Sequence, residues 1–203
     1  MSSSTGLRTA RLVKWAAIPA ALVLSAGVIA QASYSAFSAT TSNSGNSWAA
    51  GTVALADDDS STALFSTANA ANLKPGSTGA KCIAVTSSGS LPSVVKLYAT
   101  NATTTNTLSS SITISIVQGT GGGFGSCTGF TPLTSGSSLY SGTLAAFAAS
   151  STSYASGVGS WAPTGAAAES RTYQISYTLD AGAPNTTQGG TAAIGFTWET
   201  QNS

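Results

Sequence analysis

The chain contains no histidine, and that absence removes the commonest general base and the commonest zinc ligand together. Charge is nearly as scarce: 6% of residues are charged, against roughly 25% in an ordinary soluble domain. A surface this poor in ions has to be built from Ser, Thr, Asn and Gly, which is an extracellular style of surface. Of the seven basic residues, Arg8, Arg11 and Lys14 lie near the N-terminus, so the remainder carries four basic residues against six acidic ones, a net charge of −2. Nucleic acid is thereby excluded as a partner, because phosphate binding needs clustered Lys or Arg. There is no heptad pattern and no repeat long enough for a solenoid or propeller.

Residues Met1 to Lys14 hold three basic side chains and no acid, and Trp15 to Ala30 is apolar or small apart from Ser25. That is the order of a signal peptide, basic region first and apolar region second. At about 16 residues the apolar run falls short of the roughly 20 that cross a bilayer as a permanent helix, and Pro19 interrupts it. Cleavage is favoured over anchoring, with membrane contact only before the cut. Two small-x-small sites follow, ending at Ala32 and Ala36. Arg8 and Arg11 are not adjacent, which leaves a twin-arginine route unsupported. In an exported chain the pair Cys82 and Cys127 points to a disulfide ahead of a metal or redox site. The alternative is two separate buried thiols. For a closed loop of a few tens of residues the bond contributes on the order of 3–4 kcal/mol.

Beyond residue 36 there is no run of helical periodicity, but several short segments alternate with period two, the signature of half-buried strands. Tyr173, Ile175, Tyr177 and Leu179 share one face of a strand, and Ala192, Ile194, Phe196 and Trp198 share one face of another. These two pair as neighbours or face each other across a core. Ile112 to Ile116, Val95 to Ala99, Lys81 to Thr86, Thr52 to Leu55 and, less clearly, Gly142 to Phe147 read as further strands. Ala99 to Ser111 and Gly119 to Ser138 read as loops, and Ala145 to Ala149 and Gly165 to Ala168 as short helical turns at most. The pattern predicts one all-β domain, a jelly-roll-like antiparallel sandwich over 51–203. An extended segment, 37–50, precedes it, and a signal helix, 1–36, precedes that.

The segment YSAFSATTSNSGNSWAAGTVAL, Tyr34 to Leu55, closely resembles the start of mature proteins of the TasA/camelysin family. LKPGSTGAKCIAVTSSGSLPSVVKL, Leu73 to Leu97, is similar to that family's Leu-Lys-Pro-Gly turn and the two strands after it, and NTTQGGTAAIGFTW, Asn185 to Trp198, to its closing strand. These blocks cover about a third of the chain in the family's order; Ala99 to Ala168 shows no match. The resemblance implies a jelly-roll sandwich and export by a dedicated signal peptidase of the SipW type, cutting between Ala36 and Phe37. It also implies a role in matrix fibres or on the bacterial cell surface. Ala39 stands where the family has Asp, and Cys82 and Cys127 are not part of the family pattern, which suggests a disulfide-stabilised subfamily. The family is often labelled a metallo-endopeptidase. A zincin needs two His at helical spacing and a Glu, and with no His the label is not carried over.

No cofactor is expected; Asp57, Asp58 and Asp59 could offer oxygen ligands to Ca2+, but the plainer reading is a solvated acidic loop, since no EF-hand spacing follows. Asp180-Ala181-Gly182 reads as a turn, and Glu169 with Glu199 as surface carboxylates ahead of a glycosidase pair. Trp48, Trp161 and Trp198 could form a sugar platform; Trp198 fits the core better, and Trp48 fits an anchor for the N-terminal segment. Phe37 to Ala50 is uncharged and rich in Ser, Thr and Asn, with no evident place in the domain. Such a strand can complete the open sheet edge of a neighbouring copy, and a head-to-tail contact of that kind builds filaments; the alternative is a disordered or self-packed N-terminus of a monomer. The expectation is a non-enzymatic structural subunit, secreted to the bacterial exterior, forming homo-oligomers or biofilm-matrix fibres and touching matrix or cell-wall components. The rivals are a monomeric adhesin-like module for glycan or protein, and a secreted peptidase.

Overall fold

The computed structural model describes residues 47–66 and 70–203. The expected signal peptide, with Ala32 and Ala36, and Phe37 lie outside the described residues. The chain divides into two units, Met1–Ala49 and Ala50–Ser203, and of the first only Ser47, Trp48 and Ala49 are described.

In the second unit the strands run β1 (Leu55–Asp57), β2 (Thr78–Ser87), β3 (Ser93–Thr104), β4 (Ile112–Thr120), β5 (Thr131–Pro132), β6 (Ser138–Thr143), β7 (Val158–Trp161), β8 (Glu169–Leu179) and β9 (Ala192–Asn202). Two short helices interrupt them, α1 (Leu108–Ser111) and α2 (Leu144–Ser150). One sheet has the order β1-β2-β8-β4-β5, with β6 also paired to β4, and the other is β7-β3-β9. The pairings are antiparallel throughout. The chain is an all-β sandwich, and the successive connections β2 to β3, β3 to β4, β6 to β7, β7 to β8 and β8 to β9 each change sheets, as in a jelly roll.

The sandwich forms because alternate positions of the long strands are apolar. Ile112, Ile114 and Ile116 of β4, Tyr173, Ile175 and Leu179 of β8, and Val95, Leu97 and Ala99 of β3 are all buried. Each such aliphatic side chain gains about 1.5–3 kcal/mol from leaving water. β8 and β9 belong to different sheets, which decides between the two arrangements that the sequence leaves open: they face each other across the core. The rings of Tyr173 and Trp198, one from each, stand 5.3 Å apart.

Three local expectations are corrected, and one strand escapes them. Residues Ala99 to Ser111 are not a loop throughout: β3 runs on to Thr104, pairing Thr103 with Ala193 and Thr104 with Ala192 beyond a bulge. Cross-strand hydroxyl pairs line this end, Thr100 with Thr197 at 2.9 Å and Thr105 with Thr191 at 3.0 Å. Thr is a good strand former where one face meets water, so apolar content alone misses it. Gly142 to Phe147 is not one strand, because β6 ends at Thr143 and α2 begins. Thr143 Oγ1 caps that helix by accepting from Ala146 N at 3.1 Å, and Leu144 and Phe147, three apart, are its buried residues. Gly165 to Ala168 is no helix, because Gly165 takes a φ of 75°. Val158–Trp161 forms a strand that the alternation does not reveal, and it pairs with Val95 and Leu97.

Candidate functional site

A sandwich with two open sheets has edges, and edges are where another chain can add a strand. Most edges here are short: β1 spans three residues, β5 two and β7 four. β9 is different. It spans eleven residues and, among the described residues, pairs only with β3. Backbone groups alternate sides along an antiparallel strand. Ala99 N–H turns away from β9 to donate to Ser151 O at 2.7 Å, so the even-numbered residues of β3 face β9, and their partners Gly195, Thr197 and Glu199 receive the ladder bonds. Ile194, Phe196, Trp198 and Thr200 therefore turn their N–H and C=O outward, and among the described residues no other strand pairs with them. The strand holds no Pro or Lys, and its one charge is Glu199. Glu199 accepts from Tyr98 Oη at 2.8 Å and from Gln201 Nε2 at 2.8 Å. The Gln201 bond, then the Tyr98 bond, hold its carboxyl below the usual range.

Beside this edge runs a groove of about 280 Å3 between β1 and β9, lined by Leu55, Ala56, Asp57, Val85, Phe196, Thr197 and Trp198. Its floor joins the smaller core cluster, in which Ile83, Val85, Val95, Trp161 and Tyr173 are buried and Leu55 and Trp198 pack alongside.

The acidic turn closes the end of β1. Asp58 is bonded on both carboxylate oxygens: Oδ1 accepts from Ala84 N at 2.9 Å and Oδ2 from Phe124 N at 2.8 Å. Asp59 Oδ1 accepts from Ser61 N at 2.6 Å and Asp57 Oδ1 from Asp59 N at 3.3 Å. Burial first, then the Asp59 side chain, raises the Asp57 carboxyl above its ordinary value. These oxygens serve backbone amides, and among the described residues no three His, Cys, Asp or Glu converge as a metal-binding group.

Cys82 and Cys127 form a disulfide. Cys82 is 0% exposed on β2, while Cys127 lies in the segment between β4 and β5. That segment reaches from β4 past β8 to β2, closed by the Gly123–Ser126 bridge. Its tip donates from Gly125 N to Cys82 O at 2.9 Å, and Phe124 packs on the Ile83 and Val85 cluster.

The remaining candidates are dispersed. Trp161 is 5% exposed in the core and Trp198 packs against it, so these two offer no exposed platform, while Trp48 is 90% exposed. Glu169 begins β8 in one sheet and Glu199 lies three residues before the end of β9 in the other, each already hydrogen-bonded. Asp180 closes its own turn, accepting from Gly182 N at 2.9 Å. The roles of Asp58 and of the β9 edge escape sequence reasoning: Asp58 meets partners 26 and 66 positions away, and an unpaired edge is a property of the whole sheet order. No protein-family model matches the chain, and no curated protein matches it either.

Proposed function

We propose that this chain is a secreted, non-enzymatic structural subunit that assembles into fibres or a cell-surface matrix by strand addition, its segment Phe37 to Ala50 completing the β9 edge of the next copy. The observation that carries the reading is the eleven-residue β9, which holds no Pro or Lys and, among the described residues, is paired on one side and left without the cover that sandwiches use to blunt a long edge. An added strand would satisfy the outward groups of Ile194, Phe196, Trp198 and Thr200. The adjoining groove offers Phe196, Trp198, Leu55 and Val85 to an apolar anchor, for which Trp48, 90% exposed, or Phe37 is suited. The resemblance to the TasA/camelysin family supports the same reading, as does the uncharged Ser, Thr and Asn composition of the segment. The absence of histidine from the chain supports a role without catalysis.

The test is deletion of Phe37 to Ser47, followed by electron microscopy and concentration-dependent light scattering beside the intact mature protein. The intact protein is expected to grow filaments and the deleted one to stay monomeric. Filaments that form unchanged after the deletion would sink the reading, and so would an intact protein that stays monomeric.

A further inference from the structure

β2 is the other long edge strand, and it is closed in a different manner from the short ones. The bonds at Cys82 and Ala84 place its even-numbered residues outward, at Thr78, Ala80, Cys82 and Ala84. Beyond the three residues of β1, which pair with Val85 to Ser87, no strand among the described residues covers this edge. Its middle is covered by a foreign element instead. Gly125 N donates to Cys82 O, Asp58 N donates to Ala84 O at 3.2 Å, and Asp58 returns its two carboxylate oxygens to Ala84 N and Phe124 N. The segment that supplies Gly125 and Phe124 is rich in glycine, with Gly121, Gly122, Gly125 and Gly129 all at positive φ. Such a backbone loses much conformational entropy on ordering, which the Gly125 and Phe124 bonds and the packing of Phe124 have to offset. One covalent link fixes it to β2, the Cys82–Cys127 bond.

We infer that the hairpin from Gly121 to Phe130 is a removable cover, and that the Cys82–Cys127 disulfide decides whether the β2 edge is closed or open to an added strand. Oxidised, the described residues present one long edge, β9. Reduced, it presents a second, from Thr78 through Ala80 to Cys82, ending at Ala84, which Asp58 still holds. The reducing step is ordinary thiol exchange. A dithiol attacks the sulfur of Cys127, the half-buried partner; the S–S bond breaks, the dithiol closes to its cyclic disulfide and gives up two electrons, and its two protons finish on Cys82 and Cys127. Formation of the bond after export reverses the step, with an external disulfide as oxidant, and shuts the edge before subunits meet at high concentration. The cover is a property of a single subunit and does not rest on strand addition at β9.

Residue-resolved hydrogen exchange on the purified protein, with and without dithiothreitol, tests this. The amides of Phe124 and Gly125 are expected to exchange on the order of tenfold or more faster after reduction, while Asp58 and Ala84, bonded to each other, and Ile83 and Val85, which face β8, keep their protection. Native alkylation is expected to label both sulfurs, Cys82 included. If Phe124 and Gly125 stay protected and Cys82 stays unreactive, the cover holds without its bond and the inference is wrong. It is equally wrong if Ile83 and Val85 lose protection in step, because the bond is then a staple of the whole sheet. Asp58→Ala with the disulfide intact is the companion variant, and it is expected to free Ala84 and Phe124 while leaving Gly125 slow. Loss of Gly125 protection in that variant would make Asp58, and not the disulfide, the fastening.

Discussion

Glu169 opens β8, and its Oε1 accepts from Thr164 N at 2.6 Å and from Thr164 Oγ1 at 2.7 Å. These bonds, with Arg171 nearby, hold the carboxyl below its ordinary value of 4.5. A depressed acid stabilises the fold above its unfolded-state value, and the contribution is lost as pH falls through the lower, folded one. Asp57 acts in the opposite sense, since burial raises it and its protonation on acidification relieves the fold. Glu169→Gln is therefore expected to flatten the loss of stability below about pH 4.5, read by urea unfolding at steps from pH 7 to 3. An acid limb that keeps its slope would show that the Thr164 contact contributes nothing. Little of this is visible in the sequence. The contact depends on Gly165 turning at a φ of 75°, where a Cβ would come within 2.5 Å of the Leu91 backbone, so a neighbour 74 positions away sets the geometry of a five-residue turn. Asp58 is the same kind of case. Its sequence neighbours suggest a solvated acidic loop or a calcium ligand, while its partners Ala84 and Phe124 are brought to it by β2 and by the disulfide-held hairpin.

At the scale of elements, alternation is a strong signal where one face is buried and the other wet. It places β4, β8 and the inward register of β9 correctly, Ile112 to Ile116 and Tyr173 to Leu179 being core on alternate positions. It fails at α2, where Leu144 and Phe147 carry a helical spacing too short to weigh against the strand-like residues before them, and the Thr143 cap decides the outcome. It is also blind to edges, because pairing on one side or two leaves the same period in the sequence. The β9 edge can still be addressed by a substitution that touches only its outer side. Thr200 turns its N–H outward, and proline is tolerated where the missing N–H faces solvent at a sheet edge. Thr200→Pro is expected to leave the far-ultraviolet spectrum and melting temperature close to those of the parent while suppressing filament growth. Growth at the parental rate would place the assembling edge elsewhere on the molecule.

Across the whole molecule the sandwich is tied together by pairings between distant parts of the chain. Ile83 of β2 lies opposite Tyr173 of β8, and Leu97 of β3 opposite Trp198 of β9, so a strand near the start of the sandwich waits for one near its end. Non-local sheets of this kind fold in milliseconds to seconds, because loop-closure entropy is spent before the contacts that repay it are made. The disulfide changes that distance. Along the chain Ile83 and Tyr173 are 90 residues apart, whereas the route through Cys82 and Cys127 leaves 46 residues from Cys127 to Tyr173. Halving a loop lowers its closure cost by about 0.6 kcal/mol, a roughly twofold to threefold gain in rate if β2–β8 pairing is formed in the transition state. The same bond restricts the unfolded chain and contributes on the order of 4 kcal/mol at equilibrium for a separation of 45. Most of its stabilisation should then appear as slower unfolding and only a small part as faster folding. Stopped-flow chevrons of the oxidised protein and of Cys82→Ser/Cys127→Ser in urea separate the two limbs. The expected result is refolding limbs within about threefold of each other and unfolding limbs apart by two orders of magnitude or so. The reverse partition would mean that the hairpin docks on β2 before the sheets assemble, making it part of the folding nucleus and not a late cover.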